Sequence, residues 1–143
     1  MKYKALWSIM LTMSLTLICG CSLRARSVCF LVPEGFRGTF EIRKSRTDGI
    51  ALLRRGDTIY YDLTTTNVLV TKDTRPLERF NALMARYPSG VTIYGLAQSG
   101  THPEKFVVRV LFATSKGGYF YYVGPENELD QAEKEARSAS RAK

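Results

Sequence analysis

Phe106-Val107-Val108-Arg109-Val110-Leu111-Phe112-Ala113, then Lys116-Gly117-Gly118, then Tyr119-Phe120-Tyr121-Tyr122-Val123: this stretch decides the fold class. Its first part, from Lys105 to Ser115, is the longest strand-like run in the chain, dense in β-branched and aromatic residues. Alternation places Phe106, Val108, Val110 and Phe112 on one face, with Val107, Leu111 and Ala113 on the other. Both faces are apolar, which predicts a central strand. Lys116-Gly117-Gly118 supplies a hairpin turn, and Tyr119 to Val123 returns as the partner.

Upstream, short strand signals recur at close spacing. Val28 to Val32 is an apolar run stopped by Pro33-Glu34-Gly35, because proline removes a ladder donor and glycine permits the turn. From Gly38 to Lys44, Phe40 and Ile42 alternate with Thr39, Glu41 and Arg43. Thr47-Asp48-Gly49 and Arg55-Gly56-Asp57 are turn signals around an apolar strand from Ile50 to Leu53. Thr58 to Leu63, Val68 to Thr71 and Val91 to Ala97 read as further strands, with Gly95 placed for a bulge. Such spacing predicts a mainly β fold, a small antiparallel sandwich or partly open barrel.

One segment breaks that rhythm. Asp73 or Thr74 suits a helix cap, and Pro76 suits the first turn. Leu77, Phe80, Leu83, Met84 and Tyr87 then fall on one helical face. The spacing predicts one packed helix over about Thr74 to Tyr87, ended by Pro88-Ser89-Gly90. Beyond Gly124-Pro125 the chain is polar and predicts a solvated helix fraying into a disordered tail.

The N-terminus has a different character. Lys2 and Lys4 precede an apolar run from Ala5 to Ile18, followed by Cys19-Gly20-Cys21, which is the layout of a secretory signal. The run spans roughly 21 Å at ~1.5 Å per residue. A hydrocarbon core is about 30 Å thick, so a retained membrane-spanning helix is disfavoured. Ile18-Cys19-Gly20-Cys21 is similar to a bacterial lipobox. Cleavage after Gly20 would leave Cys21 at the new N-terminus, ready to take diacylglycerol and palmitate. The expected organisation is therefore a signal peptide over 1–20, a lipidated linker over 21–27, a β-rich domain over 28–124 and a polar helix or tail over 125–143. The expected location is the bacterial cell envelope, on the outer membrane or the periplasmic face if the host is a diderm. Ser22, next to the lipidated cysteine, is compatible with outer-membrane sorting.

The chain of 143 residues carries 21 basic and 13 acidic side chains, a formal net charge of +8. Loss of Lys2 and Lys4 with the signal leaves +6 on the mature chain. That excess favours anionic surfaces, and Arg24 and Arg26 sit in the linker beside the anchor. Of the three cysteines, Cys19 would leave with the signal and Cys21 would take the lipid, so Cys29 has no disulfide partner and is expected to be a buried, inert thiol. No nucleic-acid motif is present, and nucleic acid is not expected as a partner.

Phe30-Leu31-Val32-Pro33-Glu34-Gly35-Phe36-Arg37-Gly38 resembles the opening of an uncharacterised family of exported or lipid-anchored bacterial β-domains. That family opens with an aliphatic strand, then Pro-Glu-Gly, an aromatic, any residue and Gly. Asp48-Gly49, Tyr60-Tyr61, Val68-Leu69-Val70-Thr71 and Tyr121-Tyr122-Val123-Gly124 are similar to later features. The chain departs from the pattern at Thr64-Thr65-Thr66-Asn67, and Leu77 to Tyr87 reads as an insertion. The resemblance implies an exported, β-rich protein and carries over no catalytic residue.

Chemistry is sparse. One histidine and one remaining cysteine do not make a zinc site, and the carboxylates lack calcium-loop spacing. No Gly-x-Ser-x-Gly elbow or phosphate loop occurs. Ser99-Gly100-Thr101-His102 puts a hydroxyl near the only imidazole, with Glu104 as the nearest carboxylate and nothing to orient a triad. Neither an enzyme nor a cofactor is expected. The leading expectation is a non-enzymatic lipoprotein whose β-domain binds or braces an envelope partner at the membrane surface. The alternative is a glycan or polyanion binder using basic charge, with Tyr119 and Tyr121 as a stacking face.

Overall fold

The computed structural model describes residues 27–79, 82–95 and 105–142. Nine strands are described: β1 (Ser27–Leu31), β2 (Gly38–Lys44), β3 (Leu53–Arg55), β4 (Thr58–Asp62), β5 (Val68–Thr71), β6 (Ala82–Arg86), β7 (Thr92–Tyr94), β8 (Phe106–Ala113) and β9 (Gly118–Pro125). A 3-10 turn over Glu126–Glu128 leads into α1 (Leu129–Arg141). The strands form two sheets, in the orders β3-β4-β1-β6-β7 and β5-β2-β9-β8. The fold is mainly β, and the sheets do not close into a barrel.

Both sheets are mixed rather than antiparallel. β1 pairs parallel with β4 and with β6, and β2 pairs parallel with β5. Parallel neighbours need a crossover between them. Here the crossover runs through the opposite sheet: the chain leaves β1, runs through β2, comes back as the edge strand β3 and turns to lie beside β1 as β4. The turn at Pro33-Glu34-Gly35 makes the first crossing, with Gly35 at φ 69°. Glu34 accepts hydrogen bonds from Ser89 N (3.0 Å) and Ser89 Oγ (2.9 Å), and Tyr87 Oη donates to the Phe36 carbonyl at 2.9 Å. The turn after β1 is thereby tied to the turn after β6.

The core lies between the sheets. Val28, Phe30, Ile59, Tyr61, Ala85 and Ile93 point inward from the first sheet. Phe40, Ile42, Leu69, Val108, Tyr121 and Val123 meet them from the second. Phe30 is fully buried, with ring centroids 4.9 Å from Phe40, 4.6 Å from Tyr121 and 5.6 Å from Tyr61. Phe40 and Tyr121 stack at 5.4 Å.

Three expectations are corrected. No helix spans Thr74 to Tyr87: residues 75–77 form turns, and Ala82–Arg86 is a strand between β1 and β7. Ala-Leu-Met-Ala-Arg favours helix locally, but β1 and β7 satisfy its backbone groups on both sides, and Ala85 is fully buried. Secondly, β8, expected to be the central strand, is an edge strand. Its apolar residues are split by an irregularity between Val110 and Phe112, and Val110 stays 54% exposed. The central member of the hairpin is β9, between β2 and β8. Thirdly, the expected C-terminal helix is present over Leu129–Arg141, but it packs on the body and stays helical through Arg141 instead of being solvated and fraying. Ala132 and Ala136 are buried on its inner side, and the Arg137 guanidinium lies 4.5 Å from the Phe112 ring centroid. Small residues let α1 lie close on the outer face of the second sheet.

Gly49 shows how tightly the chain straps itself. Ser45 N donates to the Thr71 carbonyl (2.9 Å), Ile50 N to the Val70 carbonyl (2.9 Å) and Lys72 N to the Ile50 carbonyl (3.2 Å). A methyl group on Gly49 would overlap the backbone of Thr71 and Lys72 and sit 2.6 Å from the Ser45 carbonyl oxygen. All three obstacles are backbone, so none can rotate away. Gly49→Ala is expected to cost about 3 kcal/mol, the upper end for overpacking, read as a lower urea midpoint; an unchanged midpoint would show that the strap is slack.

Candidate functional site

The outward face of β2 carries Glu41 and Arg43, because Phe40 and Ile42 take the inward positions. Glu41 is only 7% exposed, a rare state for a carboxylate. It is paired: Arg43 Nε donates to Oε1 at 2.6 Å and Nη2 to Oε2 at 2.7 Å. The bond to Glu41 holds the Arg43 guanidinium above its ordinary pKa. Gly118 faces the pair from β9, and a side chain there would begin 3.1 Å from Glu41 Oε1.

These residues floor a groove of about 450 Å³ between the second sheet and the C-terminal end of α1. Lys44, Lys116, Thr114, Ser115, Phe120 and Ser140 complete its lining. The hairpin that carries Lys116 is held by Thr114 N to the Gly118 carbonyl (2.8 Å) and Gly118 N to Thr114 Oγ1 (3.0 Å). Three cations meet one carboxylate, so the groove is net positive, although the carbonyl end of α1 offsets part of that charge. It can hold an acidic ligand against Phe120. It contains no histidine or cysteine. Among the described residues no group of three or more His, Cys, Asp or Glu is placed to hold a metal ion.

The residues singled out from the sequence do not converge on this groove. Tyr121 is 2% exposed and packed between Phe30 and Phe40, so it offers no face for stacking. Burial raises its phenol pKa well above the ordinary range, and does the same for Tyr61. Tyr119 is half-buried, and its hydroxyl donates to Glu78 Oε1 at 3.2 Å. Thr74 Oγ1 donates to the same oxygen at 3.1 Å. Tyr119 is thus part of the joint between β9 and the turn before β6. Cys29 is 1% exposed, and its thiol pKa is raised, chiefly by burial. Arg55-Gly56-Asp57 is the turn joining β3 to β4, with Gly56 at φ 58°. Gly20, Cys21, Arg24, Arg26, Ser99, His102 and Glu104 lie outside the described residues.

The Glu41–Arg43 pair and its groove were missed in the sequence. A signal existed: Glu41 and Arg43 alternate with Phe40 and Ile42. What sequence could not supply was α1 lying against that sheet, which together with the β8–β9 hairpin shapes the groove.

No family model matches the chain, and no curated protein matches it. Among solved structures, a candidate lipoprotein from Bacillus anthracis is similar, with a TM-score of 0.42 and 12% identity. The match covers 82% of this chain and 94% of that one.

Proposed function

We propose that this chain is a bacterial envelope lipoprotein, held to a membrane through Cys21, with a non-enzymatic β-body that works as a binding or bracing module beside the bilayer. The observation that carries the reading is the short distance between motif and fold. Ile18-Cys19-Gly20-Cys21 closes the apolar N-terminal run, and β1 begins at Ser27, six positions after Cys21. Six residues reach at most about 20 Å. A body tied that closely works at the surface that holds it. Among the described residues no helix is long and apolar enough to cross a membrane. Labelling the full chain with radioactive palmitate tests the reading: incorporation that disappears in Cys21→Ala supports it, and an unlabelled wild-type product rejects it.

The groove favours a second reading, binding of a polyanion such as an acidic glycan. Arg43, Lys44 and Lys116 meet there beside Phe120, and this form of the reading relies on charge without Tyr121. The paired variant Lys44→Glu with Lys116→Glu reverses two solvent-facing charges. It is expected to abolish retention of the full chain on heparin at low salt and leave its thermal melting unchanged. Equal retention of variant and wild type would remove the groove as the binding site.

A further inference from the structure

The two sheets differ in what covers their outer faces. α1 lies on the second sheet, against β9 and β2. It is the only α-helix among the described residues, and none of them places a helix on the outer face of the first sheet. Strand register aligns an apolar row across that face. Leu53 pairs with Tyr60, Tyr60 with Cys29, Cys29 with Met84, and Met84 with Tyr94. All five point away from the core, because Val28, Ile59, Ala85 and Ile93 beside them point into it. The row crosses every strand of the sheet, about 19 Å at the usual strand spacing. Leu53 is 50% exposed and Tyr94 48% exposed at its two ends. At its middle, Cys29 is 1% exposed.

The geometry points to this face as the surface that lies against the lipid headgroups of the membrane to which the chain is tethered. The inference rests on the lipoprotein reading and names the side of the body that meets the bilayer. Three observations select lipid over other occupants. Ser27, the first residue of β1, points out on this same face, one step from Cys29 in its alternation. The tether therefore enters at the margin of the row, and its six-residue reach of about 20 Å matches the width of the face. Tyrosine and leucine side by side suit an interface that is apolar below and wet above. The charge also fits an anionic surface: Arg55 and Arg86 flank the row against the single Asp62, and Arg24 and Arg26 stand in the tether.

The test uses the full chain, produced with its own N-terminal segment and reconstituted into vesicles containing phosphatidylglycerol. A fluorescent dye is placed at Tyr94→Cys or, in a second variant, at Leu53→Cys. Cys29 is too buried to compete. A third variant carries the dye at Ser138→Cys on α1, at the opposite side of the body. Flotation of the vesicles first reports whether the chain is anchored. The expected result is several-fold stronger quenching by nitroxide-labelled lipid at positions 53 and 94 than at 138, with iodide in the water showing the reverse. If the chain floats with the vesicles and iodide quenches all three positions alike, this orientation is wrong and the anchor stands. Cross-linking of two copies through position 94 would likewise overturn it, in favour of a self-associating face. A chain that fails to float overturns the anchor, and this inference with it.

Discussion

Phe30→Ala is expected to remove most of the stability of the body. Phe30 stands on the central strand of its sheet, fully buried, and touches Phe40, Tyr61 and Tyr121 at once. It is the side chain through which the two sheets meet. Truncating a buried phenylalanine to alanine costs about 3–5 kcal/mol through lost transfer energy and the cavity left behind. Three ring contacts vanish with it, each worth roughly 0.5–1.5 kcal/mol in pairs of this kind. A domain of this size has only about 5–15 kcal/mol in total. The variant should therefore show a large fall in urea midpoint, or populate the unfolded state without denaturant. Phe106→Ala is the matched control, since Phe106 is 39% exposed on the edge strand β8. Its cost should stay below about 1 kcal/mol, as for a surface substitution. Equal losses in the two variants would mean that the aromatic cluster is not the joint between the sheets.

Cys21→Ala carries the second large effect, and it is close to all-or-none. Anchoring by acyl chains follows ~0.8 kcal/mol for each buried CH₂, and two chains suffice for stable attachment where one does not. The variant offers no thiol to receive either chain. Wild-type protein should remain in the membrane pellet after a carbonate wash, while Cys21→Ala leaves it or persists as an uncleaved precursor. Ser22→Ala should behave as wild type in the same wash. A Cys21→Ala protein that stays in the pellet at its mature size would point to attachment through the body instead.

The strands were largely legible in the sequence because their cues are local. β2 and β5 stand where alternation and turn residues put them, and the Lys116-Gly117 turn joins β8 to β9 as read. What escaped the sequence depends on partners distant along the chain. The heptad-like spacing of Leu77, Leu83, Met84 and Tyr87 fits a helix, yet residues 82–86 pair with β1 on one side and β7 on the other. Periodicity over so few residues does not separate the two, and tertiary pairing overrides propensity. β8 reads as central because both its faces are apolar, but which strand takes the middle is decided by β2 docking on β9. The same limit hid the groove: Glu41 is an ordinary outward-facing residue until β9 and α1 are placed around it. The alanines at 132 and 136, four apart in a polar segment, were the available sign that α1 packs.

Cys29 ties fold and location together. It is the central residue of the apolar row and is 1% exposed. Burial raises its thiol pKa, away from the thiolate form that reacts.

The most direct measurement is the mass of the N-terminal peptide of the mature protein isolated from its membrane. A chain that begins at Cys21 and carries a diacylglycerol adduct on its sulfur is the predicted result. A mature chain beginning at any other residue, or at Cys21 with a free thiol, would contradict the account.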